Sequence, residues 1–331
     1  MQLKSSNWMV GGEKLIETQQ LRTFVVVSES NSFNDAAEKL GLTQPAVSQI
    51  LKSLETRFDQ KLVLRRTSPV QLTLAGQVLK HQALKILADI RSIDAQVRES
   101  GNTGLIQCKI GMITSISEVF GSLLISELAT NVERFTLRSG LTTSLKESFY
   151  NREIDILISN DPMNEIEHLE RFHLFKDPIC LVKPKGSLFL NCNKIRNSHV
   201  LHPIIKYGRS TDIGLYIELI LRRLNIKADI GHETDDTHTL MSFIKAGQGW
   251  SLISVLCLAQ CTHVLKDVDI KELDDNRHFR DIYLVAREGE LGKLPAIISN
   301  LVIELLKNKV ITDLQPLMPW LTLELFTLKE S

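Results

Sequence analysis

The sequence predicts a chain of three parts: an N-terminal winged helix-turn-helix, all-α with a small β wing, then a long linker helix, then an α/β domain. Three observations carry this. Residues 32–55, "SFNDAAEKLGLTQPAVSQILKSLE", hold two short helical patterns separated by a single glycine. Residues 79–97 repeat apolar side chains at alternating spacings of four and three. Beyond residue 104, apolar runs of strand length alternate with helical stretches, the order expected of helices covering a largely parallel sheet.

With 331 residues, 43% hydrophobic and 24% charged, the chain is long enough for two or three globular domains. Its 39 basic and 39 acidic residues cancel, so attraction to a polyanion must come from a local patch. Residues 1–17 form an N-terminal extension without the basic segment and apolar run of a leader. No later run approaches the roughly 18 apolar residues of a membrane helix. The expectation is a cytoplasmic protein with no membrane partner. Five cysteines, Cys108, Cys180, Cys192, Cys257 and Cys261, are odd in number and contain no C-x-x-C pair, which suits a reducing compartment better than a disulfide framework.

In the first helical pattern Ser32 is placed to cap, with Asp35 three positions on, and Phe33, Ala37 and Leu40 recur on one face. Gly41 ends this helix, because glycine takes the left-handed conformation of a tight exit without steric cost. Thr43 caps the next helix, and Pro45 sits in its first turn, where a missing N–H is tolerated. At about 100° per residue, Val47, Ile50, Leu51, Leu54 and Phe58 fall on one face and Pro45, Ser48, Gln49, Lys52 and Thr56 on the other. Two helices joined in this way make a helix-turn-helix, whose second helix enters the major groove. There the Gln49 amide can pair bidentately with adenine, and Lys52 can donate to guanine.

An ordinary helical hairpin with a solvated polar face has the same pattern, so the residues that follow matter. "DQKLVLRRTSPVQLTLAG" reads as a hairpin turning at Ser68-Pro69, with Arg65 and Arg66 beside it. Residues 40–66 carry five basic side chains against two acidic ones, a local excess that suits phosphates.

Residues 21–76 resemble the winged helix-turn-helix of LysR-type transcriptional regulators. "LRTFVVV" stands for the first helix, "SFNDAAEKL" for the second, "TQPAVSQILKSLE" for the reading helix and "LVLRR…VQLTLAG" for the wing and exit. Val63 stands where a Phe is usual, and Ser68 where a basic residue is common. The resemblance implies a regulator bound to double-stranded DNA. Thr43, Gln44, Pro45, Ser48, Gln49, Lys52, Arg65 and Arg66 are the candidate contacts, within a DNA-binding domain of residues 18–76.

Thr73 is placed to cap a third helix reaching about residue 99. Within it Leu79, Ala83, Ile86, Ile90, Ile93 and Val97 form a coiled-coil seam. Such a stripe can also pack on its own chain, but its length and regularity favour self-association. By resemblance, residues 77–100 are the linker helix through which the family dimerises, so a dimer or tetramer is expected. "SGNTG", residues 100–104, reads as a hinge.

The strands "LIQCKIGM", "RFTLRSG", "DILISN" and "DPICLVKP" alternate with helices near residues 119–128 and 142–150. A second set starts at "HPIIKYG" and includes a helix over 213–224, "TLMSFIKAGQGWSLIS", "DIYLVAR" and a last helix at 294–307. With "KIGM", "REIDILI" and "IKAGQGWSLI" in this order, residues 101–331 resemble the LysR-type effector domain. That implies two α/β lobes shaped like a periplasmic binding protein, lobe I at about 105–180 and 283–331 and lobe II at about 181–282. Arg152 replaces a usual glycine, Asn131 lies near a usual proline, and Trp250 replaces a small or aliphatic residue, so that it crowds a cleft or lines it.

A cleft between such lobes lies at the carboxyl ends of strands, where helix N-termini offer N–H groups to a carboxylate. Thr114 and Ser115 follow the first strand and precede its helix, and the family pattern adds Thr142, Ser210 and Thr211. Thr237 and Trp250 complete the effector candidates. Each hydroxyl also fits a plain helix cap. A small, anionic effector is expected, with no cofactor and no metal.

"GHETDDTH" offers His232, Glu233, Asp235, Asp236 and His238, but in no familiar metal-ligand spacing, and it reads as a solvated loop between a strand and a helix. A serine-hydrolase elbow, a phosphate-cradling glycine loop and H-E-x-x-H are all missing, so neither a hydrolytic nor a metal-dependent enzyme is indicated. A thiol- or metal-responsive regulator of the same fold is the alternative. For it, Cys180 with Cys192, or Cys257 with Cys261, would form the switch, although their apolar surroundings suit buried structural cysteines better. The apolar tail "LQPLMPWLTLELFTLKES" extends past the resemblance and either covers the effector domain or mediates assembly.

Overall fold

The computed structural model describes residues 9–10, 13–64, 69–100, 106–128, 132–187, 199–273 and 278–327. Arg65, Arg66, Ser68, Asn131, Cys192 and residues 101–104 of the expected hinge lie outside them. The chain divides into two compact units, Met1–Ser100 and Gly101–Ser331.

The first unit opens with a small antiparallel ribbon, β1 (Met9–Val10) against β2 (Glu13–Lys14). Helices α1 (Thr18–Ser28), α2 (Phe33–Leu40) and α3 (Gln44–Phe58) follow, then an antiparallel wing, β3 (Val63–Leu64) with β4 (Gln71–Leu72), then α4 (Leu74–Ser100). The local signals act as their chemistry requires. Ser32 Oγ accepts the Asp35 N–H at 3.2 Å, and the Asp35 carboxylate accepts the Asn31 N–H at 2.9 Å. Gly41 has φ 64°, the left-handed exit. Thr73 Oγ1 accepts the Gly76 N–H at 3.0 Å in the first turn of α4.

Phe24, Val27, Ala36, Ala37, Val47, Leu51, Leu54, Leu62 and Val63 form one core, so the valine in the wing is packed. Two expectations are corrected. Thr43 occupies the cap position of α3, but its side chain makes no capping hydrogen bond. Phe58, the last residue of α3, is 39% exposed, because the helix ends there, beyond the packing that Leu54 makes. Glu55, on the other hand, is buried. Its carboxylate accepts the Leu62 N–H at 3.0 Å and pairs with Lys61 at 2.8 Å, which ties α3 to the wing.

The expected seam of α4 is divided. Ala83 is fully buried and Leu79 half-buried, in a cluster with Leu21 and Val25 of α1. This stretch of the stripe therefore closes the unit's own core and is not a free face. Ile86 and Ile93 are exposed, at 45% and 61%, together with Val78 and Leu74. Ile90 is half-buried, and the Val97 side chain lies outside the described set.

In the second unit the main sheet has the order β11-β8-β13-β7-β5-β6, with β12 also paired to β8. Strand β5 (Ile106–Ile113) runs parallel to β6 (Val132–Gly140) and to β7 (Ile156–Ser159). Strand β8 (Leu169–Pro184) is antiparallel to β13 (Phe279–Arg287), β11 (Ser251–Ser254) and β12 (Val268–Glu272), and β13 is antiparallel to β7. The sheet is therefore mixed, not largely parallel. The chain leaves the first lobe along β8 and returns along β13, and these two long strands run against each other at its centre. A separate parallel pair, β9 (His199–Tyr207) and β10 (Lys227–Thr234), belongs to the second lobe.

Helices α5 (Thr114–Leu128) and α6 (Thr142–Tyr150) belong to the first lobe, and α7 (Asp212–Arg223), α8 (Thr237–Lys245) and the short α9 (Val255–Ala259) to the second. After β13, α10 (Leu294–Leu305) continues through a π-helical turn, Leu306–Ile311, into α11 (Thr312–Leu314), and α12 (Leu323–Thr327) ends the described chain. The apolar tail covers the effector unit. Leu314, Met318, Leu321 and Phe326 are buried, and the Phe326 ring meets Phe175 of β8 edge-on at 6.1 Å.

Candidate functional site

On α3, Thr43, Gln44, Pro45, Gln49 and Lys52 are exposed, and Ser48 is half-buried. Gln44 Nε2 donates to Ser48 Oγ at 2.8 Å, one turn on, which orders the first two turns of the outer face. Gln49 and Lys52 stand on that face with their polar ends in solvent, the condition for reading base edges. Lys61, one of the five basic residues of the patch, is engaged by Glu55.

The cleft of the second unit encloses about 100 Å³ between the lobes. Thr114, Ser115, Thr142, Thr211 and Thr237 line it, so five of the seven effector candidates come together. Thr114 and Ser115 are the first two residues of α5, not a linker before it. Thr142 Oγ1 donates to Asn160 Oδ1 at 2.8 Å. Thr211 caps α7, accepting the Gly214 N–H at 3.1 Å. That helix starts hard against its own loop, since a Cβ on Gly214 would lie 2.2 Å from the Gly208 carbonyl oxygen. Thr237 Oγ1 shares a 2.9 Å hydrogen bond with the buried Tyr207 hydroxyl.

The other two candidates do not line the cleft. Trp250 is fully buried; its pairing with Ile204 of β9 turns the indole into the core. Ser210 donates to Asp235 Oδ1 at 3.1 Å and so supports a cleft residue from behind. Asp235 and Asp236 themselves line the cleft, and the "GHETDDTH" run is therefore more than a solvated loop. Asp236 caps α8, accepting the Thr239 N–H at 2.7 Å. Burial raises its pKa, but the hydrogen bonds from Thr239 outweigh that and hold the carboxyl below its usual range. Among the described residues no His, Cys, Asp and Glu cluster has metal-binding geometry.

No motif in the sequence marks the side chain at the centre of the site, Arg280. Its Nη2 donates to Ser115 Oγ at 2.7 Å and to Ser254 Oγ at 3.2 Å, and its Nε pairs at 2.7 Å with Asp177, which is fully buried. Asp177 also accepts the Leu256 N–H at 3.0 Å. Burial opposes the guanidinium charge, but Asp177 more than restores it. Asp177 and Arg280 each stand beside another charge at the start of an apolar strand run, Lys176 and Asp281, so neither is marked out in the sequence. An outer chamber of about 400 Å³ shares Asn160, Asp212, Ile213 and Arg280 with the cleft and adds Tyr216, Arg223 and Tyr283.

Among the described thiols, Cys180 and Cys261 are poor switch material. Cys108, Cys180, Cys257 and Cys261 are free and buried. Burial pushes Cys180 well above the ordinary thiol range and Cys261 up to about 12, so both stay protonated at neutral pH and are weak nucleophiles.

A helix-turn-helix head in one unit and a ligand-sized cleft between two lobes in the other define a ligand-responsive DNA-binding regulator. The chain belongs to the LysR family. Residues 18–77 match the model of the bacterial regulatory helix-turn-helix protein, lysR family, and residues 107–301 match the LysR substrate binding domain. It is 26% identical over 293 residues to an uncharacterized HTH-type transcriptional regulator, YvbU of Bacillus subtilis, covering 87% of this chain and 97% of the relative. It is 25% identical over 238 residues to the regulator TdcA of Escherichia coli, covering 70% and 74%. Among solved structures, a variant of full-length OxyR from Pseudomonas aeruginosa superposes with a TM-score of 0.68 at 18% identity, covering 89% of this chain and 98% of that one. ArgP from Mycobacterium tuberculosis gives 0.64 at 19%, with the same coverage. At these identities the likeness is one of fold.

Proposed function

We propose that the protein reads double-stranded DNA through the outer face of α3, as a dimer or higher assembly, and that a small molecule with an anionic group controls it from the cleft between the lobes. The convergence of the starts of α5, α6, α7 and α8 on one cleft, with Arg280 beside Ser115, carries this reading. Unpaired N–H groups, hydroxyls and a guanidinium are the donors a carboxylate requires. A ligand that bridges both lobes favours the closed arrangement by its differential affinity.

The test is a thermal-shift screen of small carboxylates on the full chain, followed by titration of the strongest with a DNA-footprint readout. Ser115→Ala removes one hydrogen bond to a charged group, about 1.5–3 kcal/mol or a ten- to hundredfold loss of affinity. If Ser115→Ala and Thr142→Val respond at the wild-type concentration, the ligand binds elsewhere.

Self-association belongs to the exposed part of α4. Ile86→Asp places an unpaired carboxylate in any contact made there, and sedimentation of the full chain then shows a smaller species. An unchanged assembly, with the fold intact, removes α4 from the contact. We place the protein in the cytoplasm, acting by binding and not by catalysis. Its family supports that placement, and no helix among the described residues is long and apolar enough to cross a membrane.

A further inference from the structure

The two walls of the cleft differ in charge. On the first lobe α5 and α6 begin with hydroxyl residues and carry no acidic side chain in their first turns, and Arg280 stands beside Ser115. Glu118, a turn further along α5, also lines the cleft and faces His238 at 3.5 Å. On the second lobe Asp212 lies in the first turn of α7, Asp236 caps α8 and Asp235 precedes it, and all three line the cleft. Asp235 and Asp236 accept hydrogen bonds from Ser210 and from the Thr239 N–H. The Asp212 carboxylate has no hydrogen-bond or ion-pair partner among the described residues, and it stands where the cleft opens into the outer chamber.

A charge balance decides what fits between these walls. Asp177 neutralises Arg280. Each helix start contributes about half a positive charge, so the second-lobe wall, with three carboxylates and two helix starts, is negative by about two charges. On the first lobe the two helix starts, together about one positive charge, are offset by Glu118, so that wall is close to neutral, while its helix starts and hydroxyls still donate. A purely anionic molecule finds hydrogen-bond donors on the first-lobe wall and is repelled by the second.

We propose that the effector is a zwitterion of the α-amino acid type, its anionic group against the starts of α5 and α6 and its positively charged nitrogen against Asp212. This assignment rests on the reading of the cleft as the effector site. It makes Asp212 the residue that separates amino acids from plain carboxylates.

The experiment is isothermal titration of the full chain with matched pairs that differ only in the amino group. The pairs are serine and 3-hydroxypropanoate, leucine and 4-methylpentanoate, phenylalanine and 3-phenylpropanoate, and glutamate and glutarate. At least one amino compound is expected to bind about tenfold or more tightly than its deaminated partner. Asp212→Asn should weaken the amino compound about tenfold and tighten the deaminated one, because the same charge attracts the first and repels the second. A damaged fold cannot produce opposite shifts, and Asp212→Glu should restore the wild-type preference. Equal binding within every pair, parallel changes in Asp212→Asn, or no binding by any member overturns the proposal. If a probe binds and only Ser115→Ala and Thr142→Val weaken it, the cleft stands and the zwitterion falls. If none of the three substitutions matters, the cleft reading fails too.

Discussion

On α3, Gln44, Gln49 and Lys52 share one exposed face and owe their alignment to a single helix, whereas the cleft takes Ser115, Thr142, Asp212, Asp236 and Arg280 from separate elements. The buried polar side chain of α3, Glu55, ties the helix to the wing and lies off the reading face. The cleft is anchored by the Asp177–Arg280 pair, which lies where β8 passes from the first lobe to the second. A surface presented by one helix tolerates change in the core behind it as long as the helix persists. A site assembled across two lobes depends on packing far from the ligand.

The largest effect that tests this contrast comes from Arg280→Met, which leaves Asp177 buried without a counter-charge. We expect a loss of about 3–5 kcal/mol in the stability of the second unit, read from urea denaturation. Amide exchange in residues 18–64 should be unchanged. Slower or faster exchange there would show that the two sites are not independently built.

Gln49→Ala and Lys52→Ala probe the other side of the contrast. Each should weaken a cognate site, obtained by selection from genomic fragments, by about 1–3 kcal/mol while affecting random duplex less. Urea midpoints should not move, since both side chains are exposed. Equal losses on cognate and random duplex would remove the base-reading role.

The smallest effect sharpens the comparison from within the head. Ser32→Ala deletes the cap of α2 and should lower stability by about 1 kcal/mol. Because α2 supports α3 through Ala36 and Ala37, the loss should appear as weaker binding to all DNA sequences alike, without a change of preference. A changed sequence preference would mean that the orientation of α3 depends on that cap.

Much of the head was legible in the sequence because its signals are local. The Ser32 cap, the Gly41 exit, Pro45 in the first turn of α3 and the period of the buried face each depend on neighbours within about a turn of chain. The family resemblance, and not a local signal, supplied Thr142 and Thr211, and with them part of the cleft. Where local pattern serves two outcomes it does not choose between them. The heptad in α4 is equally a dimer seam and an inward stripe, and Leu79 and Ala83 face Leu21 and Val25 of their own chain.

What the sequence by itself determined is the order of the main helices and strands, the caps at Ser32 and Thr73 and the outward face of α3, all products of short-range sterics and periodicity. Tertiary structure alone decided the direction of the central strands, the burial of Trp250 and the docking of the apolar tail on Phe175. It also decided the electrostatic centre of the cleft. Asp177 and Arg280 are 103 residues apart and meet because the register of β8 with β13 sets them opposite each other. Strand register follows from which faces the two lobes bury together, and no window of local sequence contains both partners.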